Sequence, residues 1–148
     1  KMTGSHLQQV LETLQYVYHE TRVWLEITTL LIPGLNDSDA ELNQLSEWIV
    51  ENLGKEVPLH FSAYSPQYKL QSIPATPLTT LLKARDIAIS KGLNYVYCGN
   101  VHHVQSDSTW CSHCGHLLIE RDWYQLGKMG LDKESKCTQC GEKCHGVF

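Results

Sequence analysis

The fold class follows from residues 23–37, which read VWLEITTLLIPGLND. β-Branched and aromatic residues are frequent here up to Pro33-Gly34, and this composition is typical of a strand that a Pro-Gly pair ends. The nearly continuous apolar character predicts a strand buried on both faces of a parallel sheet. A capping box at Ser38-x-x-Glu41 then begins a predicted helix, which Gly54 ends.

The same strand-and-helix pattern recurs along the chain. Further strands are predicted at residues 58–64 and 94–98, and further helices at residues 5–20 and 76–92. Three strands that alternate with three helices predict an α/β fold made of parallel crossover units. In such a sheet the carboxyl ends of all three strands meet at one edge.

Two short motifs predict how the first and third helices begin. Ser5-x-x-Gln8 is a capping box ahead of the first apolar-periodic segment. Thr76 is predicted to cap the third helix, because Pro77 behind it suits the first helical position.

Two C-x2-C-G knuckles dominate the carboxyl-terminal part of the sequence. Cys111, Cys114, Cys137 and Cys140 supply four sulfurs, the number that a closed tetrahedral zinc site needs. Two disulfides or free thiols are the alternatives, and tetrahedral sulfur also suits iron. Further donors near the knuckles are second choices: His113, His116, Cys144 and His145.

Composition argues against nucleic-acid-binding and membrane proteins. A net charge of −4 over 148 residues gives no basic surface for nucleic acid and no polybasic membrane patch. No apolar run is long enough to span a bilayer, and no secretory signal is present, so metal-binding thiols favour the cytoplasm.

The chain is expected to contain two domains. Residues 1–104 hold the βα units and residues 105–148 hold a four-cysteine ribbon, with few contacts across the boundary. Three parallel strands leave both sheet edges unpaired, and a helix begins close to Lys1. We therefore expect a fragment, the second half of a TIM-like βα barrel whose amino-terminal half is its missing partner.

Polar residues near the predicted strand ends are the candidate ligand-binding residues, because active sites of βα barrels gather there. Glu26 and Thr28 share one strand face, where they line the barrel interior or, for Glu26, form a buried salt bridge. His60 and Ser62 form a similar pair, although His60 also suits a core position. The remaining candidates are Asn36, Asp37, Tyr97, Gly99 and Asn100. Asn36 and Asp37 also suit loop and capping roles, and Gly99-Asn100 also suits an ordinary turn. Cys98 is expected to be a small buried apolar residue.

Together these segments resemble a known family. The W-L-E-I-T-T-L-L-I-P-G-L-N-D run, L-H-F-S with Tyr68-Lys69, Y-V-Y-C-G-N and the two knuckles are similar to the carboxyl-terminal part of a radical S-adenosylmethionine (SAM) family. This family, the AmmeMemoRadiSam system radical SAM enzymes, is similar to pyruvate formate-lyase activating enzymes. The resemblance implies a partial barrel that holds SAM and a 4Fe–4S cluster, whose reduced form cleaves SAM to a 5′-deoxyadenosyl radical. It implies SAM contacts for the nine candidates named above, from Glu26 to Asn100. For the ribbon, Zn²⁺ is expected from the four cysteines themselves, because zinc is the usual metal of closed ribbons.

The sequence departs from that family at several positions. No C-x3-C-x2-C run, which holds the family's cluster, occurs in the 148 residues, so this chain alone is predicted to be inactive. Thr28 stands where related activating enzymes have an arginine, and Ser65 stands where they have a histidine. The alternative functions are a zinc-ribbon binding module on an αβ scaffold and a structural fragment without activity. The sequence does not indicate the substrate.

Overall fold

The computed structural model describes Gly4 and residues 6–147 as an α/β unit followed by a β ribbon. The α/β unit contains α1 (Leu7–Glu20), β1 (Ile27–Leu31), α2 (Asp39–Leu53), β2 (Leu59–Ala63), α3 (Leu78–Ser90) and β3 (Val96–Gly99). The ribbon contains α4 (Val104–Asp107), β4 (Thr109–Trp110), β5 (Leu117–Asp122) and β6 (Gln125–Met129). None of the described helices has the length and apolar character needed to cross a membrane.

The first sheet confirms the predicted parallel strands. Its order is β1-β2-β3, and both neighbouring pairs are parallel. Leu31 pairs in register with Ala63, and Ser62 pairs with Gly99. The carboxyl ends of the three strands therefore lie together at one edge of the sheet.

Helix α2 begins and ends as predicted. The hydroxyl of Ser38 accepts a hydrogen bond from the amide of Glu41 and donates one to its carboxylate. Gly54 ends the helix with a φ of 86°, a conformation that glycine adopts without strain. Ser5, predicted to begin α1, lies outside the described residues, and His6 precedes that helix without a side-chain cap.

Only one face of the sheet is buried, so the predicted burial of both faces is wrong for the described residues. Alternate residues of the strands, such as Leu31 and Phe61, pack against α2 and α3 and are inaccessible to solvent. On the other face Thr28 is exposed and Leu30 is 44% exposed. The cause is that the described helices cover one side of the sheet, and the ribbon covers the other only beside β3. We call this second side the open face.

Thr76 does not cap α3, contrary to the sequence prediction. Pro77 occupies the N-cap position, and no side-chain cap is formed. The buried Thr76 hydroxyl instead donates to the carbonyl of Leu31 (2.6 Å) and accepts from the amide of Tyr64 (2.9 Å). It therefore joins the carboxyl ends of β1 and β2 through the carbonyl of Leu31 and the amide of Tyr64.

Replacing Thr76 with valine should destabilise the α/β unit by about 1–3 kcal/mol, because a buried carbonyl and a buried amide lose their partner while the side-chain volume is kept. Urea unfolding followed by circular dichroism measures this loss. Thr79→Val is the matched control, since Thr79 is exposed on α3. Equal unfolding midpoints for the two variants would contradict the bridging role.

The ribbon packs against the open face more closely than predicted. It forms an antiparallel sheet in the order β4-β5-β6. Tyr95, only 3% exposed, belongs to the same buried cluster as Leu118 and Ile119 of β5, and Tyr97 packs against that cluster. The Tyr97 hydroxyl also lies 2.9 Å from the hydroxyl of Thr109. The expectation of few contacts across the boundary is therefore wrong along β3, whereas the boundary at residue 104 stays a prediction.

Candidate metal centre and the cavity on the open face

The four predicted metal ligands lie together in the ribbon. Their sulfur atoms are all within 4.8 Å of one another, with 3.6 Å between Cys111 and Cys140 and 3.7 Å between Cys114 and Cys137. Four ligands 2.3 Å from one tetrahedral ion are about 3.8 Å apart, so these sulfurs fit around a single metal ion. All six cysteines of the chain are free, and the disulfide alternative is not formed.

Each knuckle depends on the glycine that follows its second cysteine. Gly115 and Gly141 have φ angles of 71° and 78°, which non-glycine residues adopt only at a steric penalty. Their amides donate to the carbonyls of Cys111 (2.9 Å) and Cys137 (2.8 Å). The two tight turns are equivalent, and each directs a pair of sulfurs towards the same point.

Electrostatics within the quartet favour a bound cation. Desolvation opposes ionisation of Cys137, but amide hydrogen bonds from Cys140 and Gln139 prevail and lower its pKa to about 7. For Cys140 the amide of Glu142 lowers the pKa, yet desolvation and the three neighbouring sulfurs prevail and raise it to about 12. The neighbouring sulfurs thus oppose ionisation of Cys140, and a cation bound between them would remove this opposition.

The cysteines of this chain do not fit a radical-generating 4Fe–4S cluster. The four sulfurs lie close enough to share a single ion, whereas each cysteine of such a cluster binds a different iron. Cys98 is 1% exposed in the α/β core, as predicted for a small apolar residue, and Cys144 is buried in the ribbon core. The four additional donors near the knuckles, Cys144 and the three histidines, lie outside the metal-binding group.

The open face carries a polar network at the amino-terminal half of the strands. The Glu26 carboxylate accepts from the indole of Trp24 and lies 2.8 Å from Nε2 of His60. The His60 ring stacks on Tyr97 with 5.0 Å between centroids. Glu26 therefore pairs with a histidine of its own sheet, and His60 faces away from the helices.

A cavity of about 510 Å³ lies between this network and the ribbon. Five of the nine predicted ligand-binding residues line it: Glu26, His60, Tyr97, Gly99 and Asn100. Arg121 of β5 and Asp107 of α4 line it from the ribbon side. No sequence motif points to these two residues, because they approach β3 only in the folded chain.

The other four predicted residues do not line the cavity. Thr28 and Ser62 lie on the open face, with the Ser62 hydroxyl close to Gly99. Asn36 holds the loop after β1, since its side chain accepts from the amide of Ile32 (2.7 Å) and donates to the carbonyl of Leu30 (2.9 Å). Asp37 similarly accepts from the amide of Gly34 (2.8 Å). The loop role is observed for both residues, and cofactor contact stays a prediction.

Comparison with known proteins finds a sequence relative and several fold neighbours. No family model matches the chain. An uncharacterised protein of Methanocaldococcus jannaschii is 42% identical over 144 residues, which are 97% of this chain and 43% of that protein. A radical SAM methyltransferase of Sphaerobacter thermophilus shares the fold with a TM-score of 0.51 and 17% identity, over 75% of this chain and 30% of the methyltransferase. The chain thus has a fold similar to part of a radical SAM protein, and it spans less than half of either relative.

Proposed function

We propose that this chain is the carboxyl-terminal part of a radical SAM enzyme. The observation that carries the proposal is the asymmetry of the first sheet: the helices cover one face, and the other face is open and polar. In a βα barrel the helices lie outside and the open face becomes the interior. Residues that precede this chain would complete the barrel beside β1, whose outer edge has no partner strand among the described residues. The likeness to the methyltransferase supports the fold of this proposal.

The cofactor roles are divided between this chain and the rest of the barrel. The 4Fe–4S cluster would be held by a C-x3-C-x2-C loop outside these residues, and it would supply the electron that cleaves SAM. The residues proposed for SAM contact here lie at or beyond the carboxyl edge of the sheet, where barrel ligands bind: Asn36, Asp37, Ser62, Gly99 and Asn100. Glu26, Thr28, His60 and Tyr97 lie at or before the second residue of their strands and would line the deeper interior.

The ribbon is proposed to hold a structural Zn²⁺ ion. A four-cysteine site leaves no open coordination position, so the metal would stabilise the ribbon rather than bind substrate. Free thiols in such a site are maintained in a reducing compartment, and we propose the cytoplasm.

Anaerobic reconstitution with iron and sulfide, followed by an assay for 5′-deoxyadenosine, tests the enzyme proposal. The isolated chain should release none above background, whereas a longer chain that includes the preceding residues of its gene should cleave SAM. The matched control is the longer chain with its C-x3-C-x2-C cysteines replaced by alanine. SAM cleavage by the isolated chain, or a longer chain that lacks this motif, would refute the proposal.

One observation favours the alternative of a binding module. The two-residue turn between β5 and β6 presents Trp123, 46% exposed, and Tyr124, 92% exposed. Exposed aromatic residues of this kind are enriched at protein interfaces. If the longer chain does not cleave SAM, the binding-module alternative remains.

A further inference from the structure

Arg121 is a cation without a carboxylate partner in the cavity on the open face. It is half-buried on β5, and one guanidinium nitrogen donates to the hydroxyl of Thr109 (2.5 Å). The guanidinium also lies 5.8 Å from the centroid of the Tyr97 ring. Among the described residues no carboxylate oxygen lies within 4.0 Å of it. Since a guanidinium has five N–H donors, most of its hydrogen-bonding capacity is free to bind an anion.

The rest of the cavity is suited to a flat apolar group. Its walls include five aromatic side chains: Trp24, Tyr95, Tyr97, Trp123 and Tyr124. The volume of about 510 Å³ lies within the range of small-molecule sites. Two carboxylates, those of Glu26 and Asp107, line the same cavity. They would repel a doubly charged phosphate more strongly than a singly charged carboxylate. Of the residues that the structure describes, Arg121 is the one arginine or lysine that lines the cavity.

We propose that this cavity binds a small aromatic monocarboxylate, with the carboxylate on Arg121 and the ring against Tyr97. A planar carboxylate matches the paired donors of a guanidinium, and the buried Tyr95 and half-buried Tyr97 give the ring an apolar surface on the inner side of the cavity. The cavity shares Tyr97, Gly99 and Asn100 with the residues proposed for the barrel interior and for SAM contact. The residues that line it all belong to this chain, so carboxylate binding is tested on this chain alone, whether or not a longer chain cleaves SAM.

Benzoate is the probe ligand, and benzamide, which has the same ring but no charge, is the control ligand. In amide proton–nitrogen correlation spectra of the metal-loaded chain, benzoate should cause saturable shifts of the Arg121 side-chain N–H and of the Trp24 and Trp123 indole N–H. Benzamide should bind about tenfold more weakly or not at all, because it lacks the charge. Arg121→Gln should weaken benzoate binding about tenfold or more, and Arg121→Lys should retain part of the affinity as a point charge. Lys128→Gln, which removes an exposed cation of β6 outside the cavity, should leave binding unchanged.

The proposal is overturned if benzoate causes no saturable shifts at these three groups. It is also overturned if benzamide binds as tightly as benzoate, or if folded Arg121→Gln binds benzoate like the unaltered chain. If Arg121→Gln does not fold, benzoate and benzamide are compared on the unaltered chain. That comparison tests the proposal by itself, because the side chains whose signals shift show where the probe binds.

Discussion

Replacing Cys114 or Cys137 with serine is expected to abolish metal binding and to unfold the ribbon. The ribbon contributes few large apolar side chains to its own core, chiefly Leu118 and Ile119, and the cysteines occupy its centre. A structural Zn²⁺ site contributes on the order of 10 kcal/mol, more than such a core supplies. Metal analysis with thiol titration, and correlation spectra of the ribbon amides, measure the two effects. Zinc is the metal expected in the unaltered chain.

The α/β unit should remain folded in these variants but lose stability near β3. Tyr95 and Tyr97 pack against ribbon residues, and both become exposed when the ribbon unfolds. The amide signals of β1 and β2 should therefore keep their positions, whereas those of β3 should shift. This pattern differs from the sequence-based expectation, in which unfolding of the ribbon leaves the α/β unit largely unaffected.

Cys144→Ser is the matched control for the metal site. Cys144 is a buried ribbon cysteine outside the quartet, so this variant should bind metal in the same ratio as the unaltered chain. A loss of metal in Cys144→Ser would show that the ligand set is wrong. The assignment would also fail if the chain were metal-free, with four reactive thiols in an ordered ribbon.

The sequence predicts well those features that depend on residues close together along the chain. The strand after Trp24 and the capping box at Ser38 depend on neighbouring residues, and both appear in the structure. The same holds for the cysteine quartet, because each knuckle is a local turn, and the pairing of two knuckles follows from the count of four ligands.

Features that depend on distant contacts were not predictable. The sequence around Thr76 is that of a helix cap, and only the folded sheet shows that the ends of β1 and β2 need its hydroxyl. Arg121 has no distinctive neighbours in sequence, and it becomes a candidate ligand because β5 packs beside Tyr97. The apolar run around Leu30 predicts burial on both faces, and the described residues cover only one of them.

The central strand of the first sheet provides the second large effect, since Phe61→Ala should destabilise the α/β unit by about 3–5 kcal/mol. Phe61 is inaccessible to solvent on β2, with Thr29 and Cys98 as its register neighbours on either side. Its removal leaves a cavity that the flanking strands cannot fill, and the loss is a large share of the 5–15 kcal/mol typical of a domain.

Urea unfolding followed by helical circular dichroism measures the effect of Phe61→Ala, because α1, α2 and α3 all belong to the α/β unit. Tyr16→Ala is the matched aromatic control, since Tyr16 is 62% exposed on α1 and should change stability little. The free energy of unfolding of Phe61→Leu should lie between those of the other two variants, because leucine keeps most of the apolar volume. Bound metal should stay in the ribbon of all three variants at low urea, since the ligands lie outside the altered core. Equal stability of Phe61→Ala and Tyr16→Ala would show that the helices do not pack on this face of the sheet, and the barrel-like arrangement would fail with it.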